Sequence, residues 1–296
     1  MAPKPLGKLL DRYRITDGRG FRLRDHDPAD TGGKLVRKEQ ATELLAQGVA
    51  RLAELHERLY ASRRWALLSL FQAMDAAGKD SAIKHVMSGM NPQGVTVTAF
   101  KQPSTEELDH GFLWRINRAM PPRGHIGIFN RSHYEEVLMV RLHPPILAAQ
   151  HLPDVLVSRR IWDQRLQDIA QFERYAARQG TVILKFFLNV SKAEQKKRFL
   201  ERLDEPAKNW KFAPGDVTER ERWDDYMHAY EEAIQATAHK HAPWFVVPAD
   251  NKWFTRLVVV AAMIEALEAL DLSVPTPSPA KRARFAEARQ ILESET

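Results

Sequence analysis

Two short stretches of this chain carry residue types that suit phosphate chemistry. The first, Phe71-Gln-Ala-Met-Asp-Ala-Ala-Gly-Lys-Asp-Ser81, follows an apolar run and opens a helical pattern. A buried strand, a turn of small residues ending in Gly-Lys, and then a helix form an anion cradle. Backbone N–H groups at the helix start point at the anion, and the helix dipole favours negative charge there. Lys79 adds a full positive charge for the outer phosphates. The common loop reads G-x-x-x-x-G-K-[ST]. Here Ala73 stands at the first glycine and Asp80 at the hydroxyl that normally holds Mg²⁺. Ser81 comes one place late, and Asp75, inside the loop, offers a hard oxygen ligand to a metal instead. Ala76, Ala77, Gly78, Lys79, Asp80 and Ser81 are therefore the expected phosphate-binding residues, with Asp75 the expected metal ligand. The plainer alternative is a strand–turn–helix in which Gly78 only permits a tight turn.

The second stretch is His125-Ile-Gly-Ile-Phe-Asn-Arg-Ser-His-Tyr-Glu-Glu136, an apolar strand ending in polar and charged groups. In a parallel sheet the carboxyl ends of neighbouring strands gather at one edge, where ligands bind. Asn130, Arg131, Glu135 and Glu136 are thus expected near Lys79, with Arg131 offering a planar fork to phosphate oxygens. Here too a plainer reading stands. Arg131 pairs with a local carboxylate, and Glu135 and Glu136 form a solvated helix face.

The elements around these stretches read clearly. Residues 1–37 are polar and punctuated by Gly and Pro, an extended arm of loops. From Lys38 to Ser62 the apolar positions recur at helical spacing, which predicts a long helix. Five apolar runs, 65–72, 95–100, 125–130, 182–190 and 244–247, read as buried strands. Helical segments between them imply a parallel sheet covered on both faces. One is a long amphipathic helix over 155–178, carrying Trp162, Leu166, Ile169, Phe172 and Ala176. Helix starts are marked by Ser104 with Glu107, Ser191 with Glu194, and Asp216 with Glu219. Residues 272–279 are rich in Pro and Ser and precede a charged helical tail.

Composition excludes several function classes. The chain has 296 residues and no cysteine, which removes disulfides, thiolate metal sites and Cys nucleophiles. The longest apolar run, 257–264, is far shorter than the ~20 residues a membrane span needs. The histidines show no metal-ligand spacing, and no Ser-His-Asp set is evident. A soluble, cytoplasmic protein with no membrane partner is expected. The net charge of +6 agrees with a polyanionic partner but is modest for this length.

Four motifs in order, Met74-Asp-Ala-Ala-Gly-Lys-Asp80, Phe112-Leu-Trp-Arg115, Ile126-Gly-Ile-Phe-Asn-Arg-Ser-His-Tyr-Glu135 and Arg222-Trp-Asp-Asp-Tyr226, resemble the family-2 polyphosphate kinases. The resemblance runs from about Phe21 to about Leu270. It implies an α/β, three-layer P-loop kinase fold similar to thymidylate kinase, with a central parallel sheet of about five strands and a helical lid. The organisation that follows is an N-terminal arm and helix, 1–62, a kinase domain, 63–271, with its lid at about 153–226, and a tail, 272–296. The resemblance also implies polyphosphate as donor, a nucleoside mono- or diphosphate as acceptor, Mg²⁺ (or Mn²⁺) as cofactor, and a homo-oligomer, dimer or tetramer. Asp75 and Lys79 match the family's loop residues and Arg131 its second-motif arginine. Asn130, in place of the commoner aspartate, together with Glu135 resembles the third class, which phosphorylates both AMP and ADP.

Under this resemblance the catalytic set is Asp75, Lys79, Asn130, Arg131 and Glu135. Arg159, Arg160, Arg165, Lys208, Lys211, Arg220 and Arg222, with Lys84, are expected along the polyphosphate path or lid. Lys101, Arg115, Arg118, Arg123 and Arg141 are expected to meet the nucleotide. An attacking phosphate is already anionic, so no strong general base is required. Two alternatives stay open: a nucleotide kinase of the same fold that uses ATP as donor, and a basic nucleic-acid-binding protein.

Overall fold

The computed structural model describes residues 9–33 and 35–295, so the first part of the expected arm lies outside the described residues. Its centre is one sheet of β1 (Arg14–Asp17), β2 (Ala66–Gln72), β3 (Val95–Ala99), β4 (Ile126–Asn130), β5 (Thr181–Asn189) and β6 (His239–Pro248), in the order β1-β6-β5-β2-β4-β3. The five strands read from apolar runs are the five parallel ones, matching to within a residue except for β6, which begins well before 244. Every residue of β2 is buried, as a parallel strand with neighbours on both sides requires. β3 corrects the expectation of uniformly buried strands. It ends the sheet, and Val97 on it is exposed.

The arm is more than loops. β1 adds an antiparallel edge strand against β6, and Leu9, Leu10, Tyr13, Phe21, Leu23 and Val36 join the core. Tyr13 Oη donates to Asp30 at 2.8 Å, pinning the arm on itself.

Helices cover both faces. α1 (Ala41–Ser62) and α2 (Lys79–Val86) lie on one side with α6 (Lys252–Glu268), which packs against both and against β5 and β6. Leu257 to Ile264 are buried throughout, so the longest apolar run is a helix enclosed on all sides. A Cβ at Gly48 would meet Val260 Cγ1 at 3.1 Å, so the bare backbone there lets α1 and α6 approach closely. On the other side α3 (Ile161–Arg178) packs on α5 (Trp223–Thr237) and covers β5 and β6. Three layers result. α4 (Lys192–Asp204) follows β5, and α7 (Pro279–Ser294) is exposed along its length.

Register across the parallel strands organises the core. Phe71, Phe186 and Phe245 are direct partners on β2, β5 and β6, with ring centroids 5.0 and 5.4 Å apart. Their immediate neighbours Lys185 and Trp244 project to the opposite face, toward α3 and α5, because strand side chains alternate.

Three local expectations need correction. α3 starts at Ile161 rather than 155, because a 3₁₀ turn, Asp154–Leu156, and a Ser158 side chain that accepts from Arg160 N precede it. Its inward stripe contains two charged residues, Arg165 and Glu173. Asp216 is not a cap, since Pro214 occupies that position, whereas the Ser104–Glu107 box and the Ser191 cap form as read. Among the described residues no helix is long and apolar enough to cross a membrane.

Candidate active site

The chain leaves β2 at Gln72, makes a tight loop through Ala73–Gly78 and enters α2 at Lys79. Gly78 has φ +105° at the helix N-cap, a conformation that excludes ordinary side chains. Ala76 also lies in the left-handed region, φ +59°, which costs a non-glycine residue about 1–2 kcal/mol. No side chain caps the first turn of α2. Its leading N–H groups, which have no intrahelical partner, face the site.

Two side chains of α4 hold this loop from behind. Arg198, almost fully buried, donates from Nη1 to the carbonyls of Ala76 and Ala77 at 3.0 and 2.9 Å. From Nη2 it donates to those of Ala249 and Asp250 at 2.7 and 3.0 Å, and from Nε to Glu194 at 2.9 Å. Gln195 donates to the Asp75 carbonyl at 3.0 Å. The strained loop geometry is thereby over-determined by its surroundings.

Lys79 folds back so that Nζ donates to the Ala73 carbonyl at 2.9 Å. Burial pushes its pKa down, and the Asp75 carboxylate opposes that. Across the mouth, Arg131 sits in the left-handed region at φ +64° just beyond β4. Its N–H continues the strand ladder to Phe71 O at 3.0 Å. Its guanidinium donates to Asp75 Oδ1 at 3.0 Å and Glu135 Oε2 at 3.2 Å. Glu135 is the main cause of its raised pKa; burial opposes the rise and Asp75 adds to it. Asn130 donates to Asp80 Oδ1 at 2.7 Å, joining the two motifs a second time. Ser81 accepts from Arg256 at 2.9 Å.

A cavity of about 430 Å³ opens beside these groups at the carboxyl edge of the sheet, and Glu135 is not on its wall. Asp75 through Ser81, Lys101, Asn130, Arg131 and Lys208 lie on its wall, so the two sequence stretches do converge. Arg198, Glu201, Arg202 and Lys252 line it too, and sequence reasoning missed them. The available signal was weak: Arg198 and Arg202 are spaced four apart on the helix that follows a strand's carboxyl end.

Other sequence-derived candidates stand elsewhere. Arg165 is buried, paired with Glu136 and stacked over Phe112 at 5.1 Å, so it is a core side chain and not a lid cation. Glu136 is likewise buried, not on a solvated helix face. Arg159 and Arg160 are exposed on the turn before α3, and Lys84 is exposed on α2. Arg220 donates to Lys192 O and Gln195, and Arg222 to Leu142 O. The side chain of Lys211 lies outside the described ones. Arg115 and Arg118 line an adjoining depression with Lys101. Arg123 donates to Gln179 O at the amino end of the sheet, the edge away from the cavity, and Arg141 pairs with Glu232. Neither of these last two lines the cavity.

Known proteins resemble this chain in sequence and fold. The ADP-polyphosphate phosphotransferase of Rhodopseudomonas palustris is 51% identical over 256 residues, 86% of this chain and 89% of that one. The AMP/ADP-polyphosphate phosphotransferase of Meiothermus ruber is 43% identical over 92% of this chain and 97% of its own length. The crystal structure of polyphosphate kinase 2 from Arthrobacter aurescens TC1 superposes with a TM-score of 0.84 at 42% identity, covering 97% of this chain and 98% of that one. Residues 35–274 match the family described as Polyphosphate kinase 2. With the match spanning both phosphate motifs and the α4 clamp behind them, the chain belongs to the polyphosphate kinase 2 family.

Proposed function

We propose that this chain transfers the terminal phosphoryl group of inorganic polyphosphate to AMP or ADP. The carrying observation is the number of cations on one cavity, which Lys79, Lys101, Arg131, Arg202, Lys208 and Lys252 all line. A single phosphate group is satisfied by one or two cations and the loop amides. A phosphate chain uses several in a row. The relatives named for ADP, and for AMP and ADP, agree with that donor and those acceptors.

In this reading the α2 amides and Lys79 hold the donor's terminal groups. An oxygen of the acceptor's terminal phosphate attacks the end phosphorus of the chain. One P–O bond forms, the bridging P–O bond breaks, and the shortened polyphosphate leaves as an anion. Both nucleophile and leaving group are already deprotonated, so positioning and charge neutralisation carry the barrier reduction. Arg131, paired with two carboxylates at rest, turns its fork to the equatorial oxygens of the transferring group.

Asp75 offers Mg²⁺ or Mn²⁺ a hard carboxylate oxygen at the mouth. Among the described residues no three acidic or histidine side chains are grouped to cage an ion. Asp75, water and the substrate's own phosphates would therefore hold it, as is usual for Mg²⁺. Bound there, the ion neutralises phosphate charge. The Asn130 amide orients Asp80 on the same cavity wall.

The test is a donor swap. Purified protein with Mg²⁺, polyphosphate and ADP should form ATP, and GTP in place of polyphosphate should not. ATP formed from GTP alone would move the donor assignment to a nucleoside triphosphate. AMP, GMP and GDP offered in turn rank the acceptors.

A further inference from the structure

We propose that Glu173 and Arg165, two buried charges on α3, are positioning residues that grip the turn behind Arg131 and Glu135 and fix where those two side chains point. The proposal rests on the reading of Arg131 as a phosphate ligand.

Arg131 and Glu135 flank Ser132, His133 and Tyr134, and a 3₁₀ turn runs His133–Glu136. α3 holds that turn at both ends. Glu173 Oε1 accepts from Tyr134 Oη at 2.8 Å and lies 3.3 Å from His133 Nε2. About two turns earlier on α3, Arg165 pairs with Glu136 and donates to Gln150 at 2.8 Å. Gln150 in turn donates to both Glu136 oxygens at 2.9 and 3.2 Å. The start of the turn is fixed separately, since Ser132 Oγ accepts from Gln72 on β2 and from Tyr134 N. Every residue around Arg131 is thus tied down, while Arg131 itself sits in a disfavoured left-handed conformation.

The ties cost more than a packing role requires. Glu173 and its partner Lys185, 2.5 Å away, are both fully buried, and Lys185 also donates to Thr237 O at 2.7 Å. Burial raises the pKa of Glu173, but Lys185 and His133 together bring it below its ordinary value, so it stays a carboxylate. Apolar side chains would fill this space at lower desolvation cost. What they could not do is accept from two consecutive residues of one turn.

A double-mutant cycle in the full-length enzyme tests this. Glu173→Gln, Arg131→Lys and the combination are assayed for kcat and for the KM of polyphosphate and of ADP, with kcat expressed per folded molecule from circular dichroism. Glu173→Gln is expected to lower kcat about tenfold, on the order of the loss for one misdirected transition-state contact, with KM nearly unchanged. The double variant is expected to be no slower than Arg131→Lys alone, because both changes remove the same contact. Losses that multiply would overturn the proposal, as would a Glu173→Gln enzyme with normal kcat per folded molecule. A fully active Arg131→Lys enzyme would remove the reading of Arg131 itself, and the proposal with it. Should Glu173→Gln fail to fold, Tyr134→Phe keeps the Glu173–Lys185 pair, removes the hydroxyl's contacts to Glu173, Thr237 and Lys185, and must show the same split.

Discussion

Two clusters of opposite charges lie on either side of one turn, and they differ in almost everything except composition. At the cavity mouth, Arg131 is 35% exposed and its partners Asp75 and Glu135 are 33% and 17% exposed. Behind the turn, Glu173, Lys185 and His133 have side chains that are 0% exposed. The mouth cluster is partly open to water, so phosphate oxygens can reach the arginine and replace a carboxylate on it. The inner cluster has no such exchange available, and breaking it strands a charge in the core. The same chemistry is thus a resting state in one place and a fixture in the other. In the function we propose, Arg131 has to be released to substrate, whereas the turn that carries it has to stay put.

The sharpest way to break the comparison is Lys185→Ala. It should cost about 3–5 kcal/mol of stability by leaving the buried Glu173 carboxylate without its lysine. The measurement is urea unfolding, read as a lower midpoint at unchanged slope. If Lys185→Met with Glu173→Leu proves as damaging as the single change, the inner cluster is not a matched pair. Next in size, Lys79→Ala should lower kcat by roughly 10²–10³-fold, the loss typical of one preorganised charge-stabilising donor. Its thermal midpoint should stay close to that of the parent enzyme. A variant that loses stability and activity together would place Lys79 with the fixtures. Smallest is Ser104→Ala, which removes an exposed capping box that belongs to neither cluster. It should cost about 1 kcal/mol and leave kcat unchanged. A change in kcat would show that the short helix it caps takes part in the chemistry.

Much of the framework could be read from residue order alone. The parallel strands announce themselves because burial on both faces demands near-continuous apolar runs, as in Ala66–Gln72. β1 escaped because Arg14-Ile-Thr-Asp carries a single apolar residue and owes its conformation to pairing with β6. The convergence of the loop with Asn130 and Arg131 was legible, since parallel topology brings strand ends to one edge. The fate of Arg165 was not. Its type suggests a solvated cation, and only the distant Glu136 and Gln150 make burial tolerable. Arg198 was invisible for another reason. Its partners are mostly main-chain oxygens, which no side-chain pattern advertises.

That last feature bears on how the enzyme can change over time. Because the Arg198 guanidinium grips carbonyls, its bracing does not depend on which side chain stands at Ala76 or Ala249, as far as local space allows. The arginine has no such latitude, since a lysine offers neither the plane nor the number of donors. Tolerance to substitution near the phosphate loop should therefore be uneven: permissive where only the main chain is touched, and unforgiving at one helix position more than a hundred residues downstream.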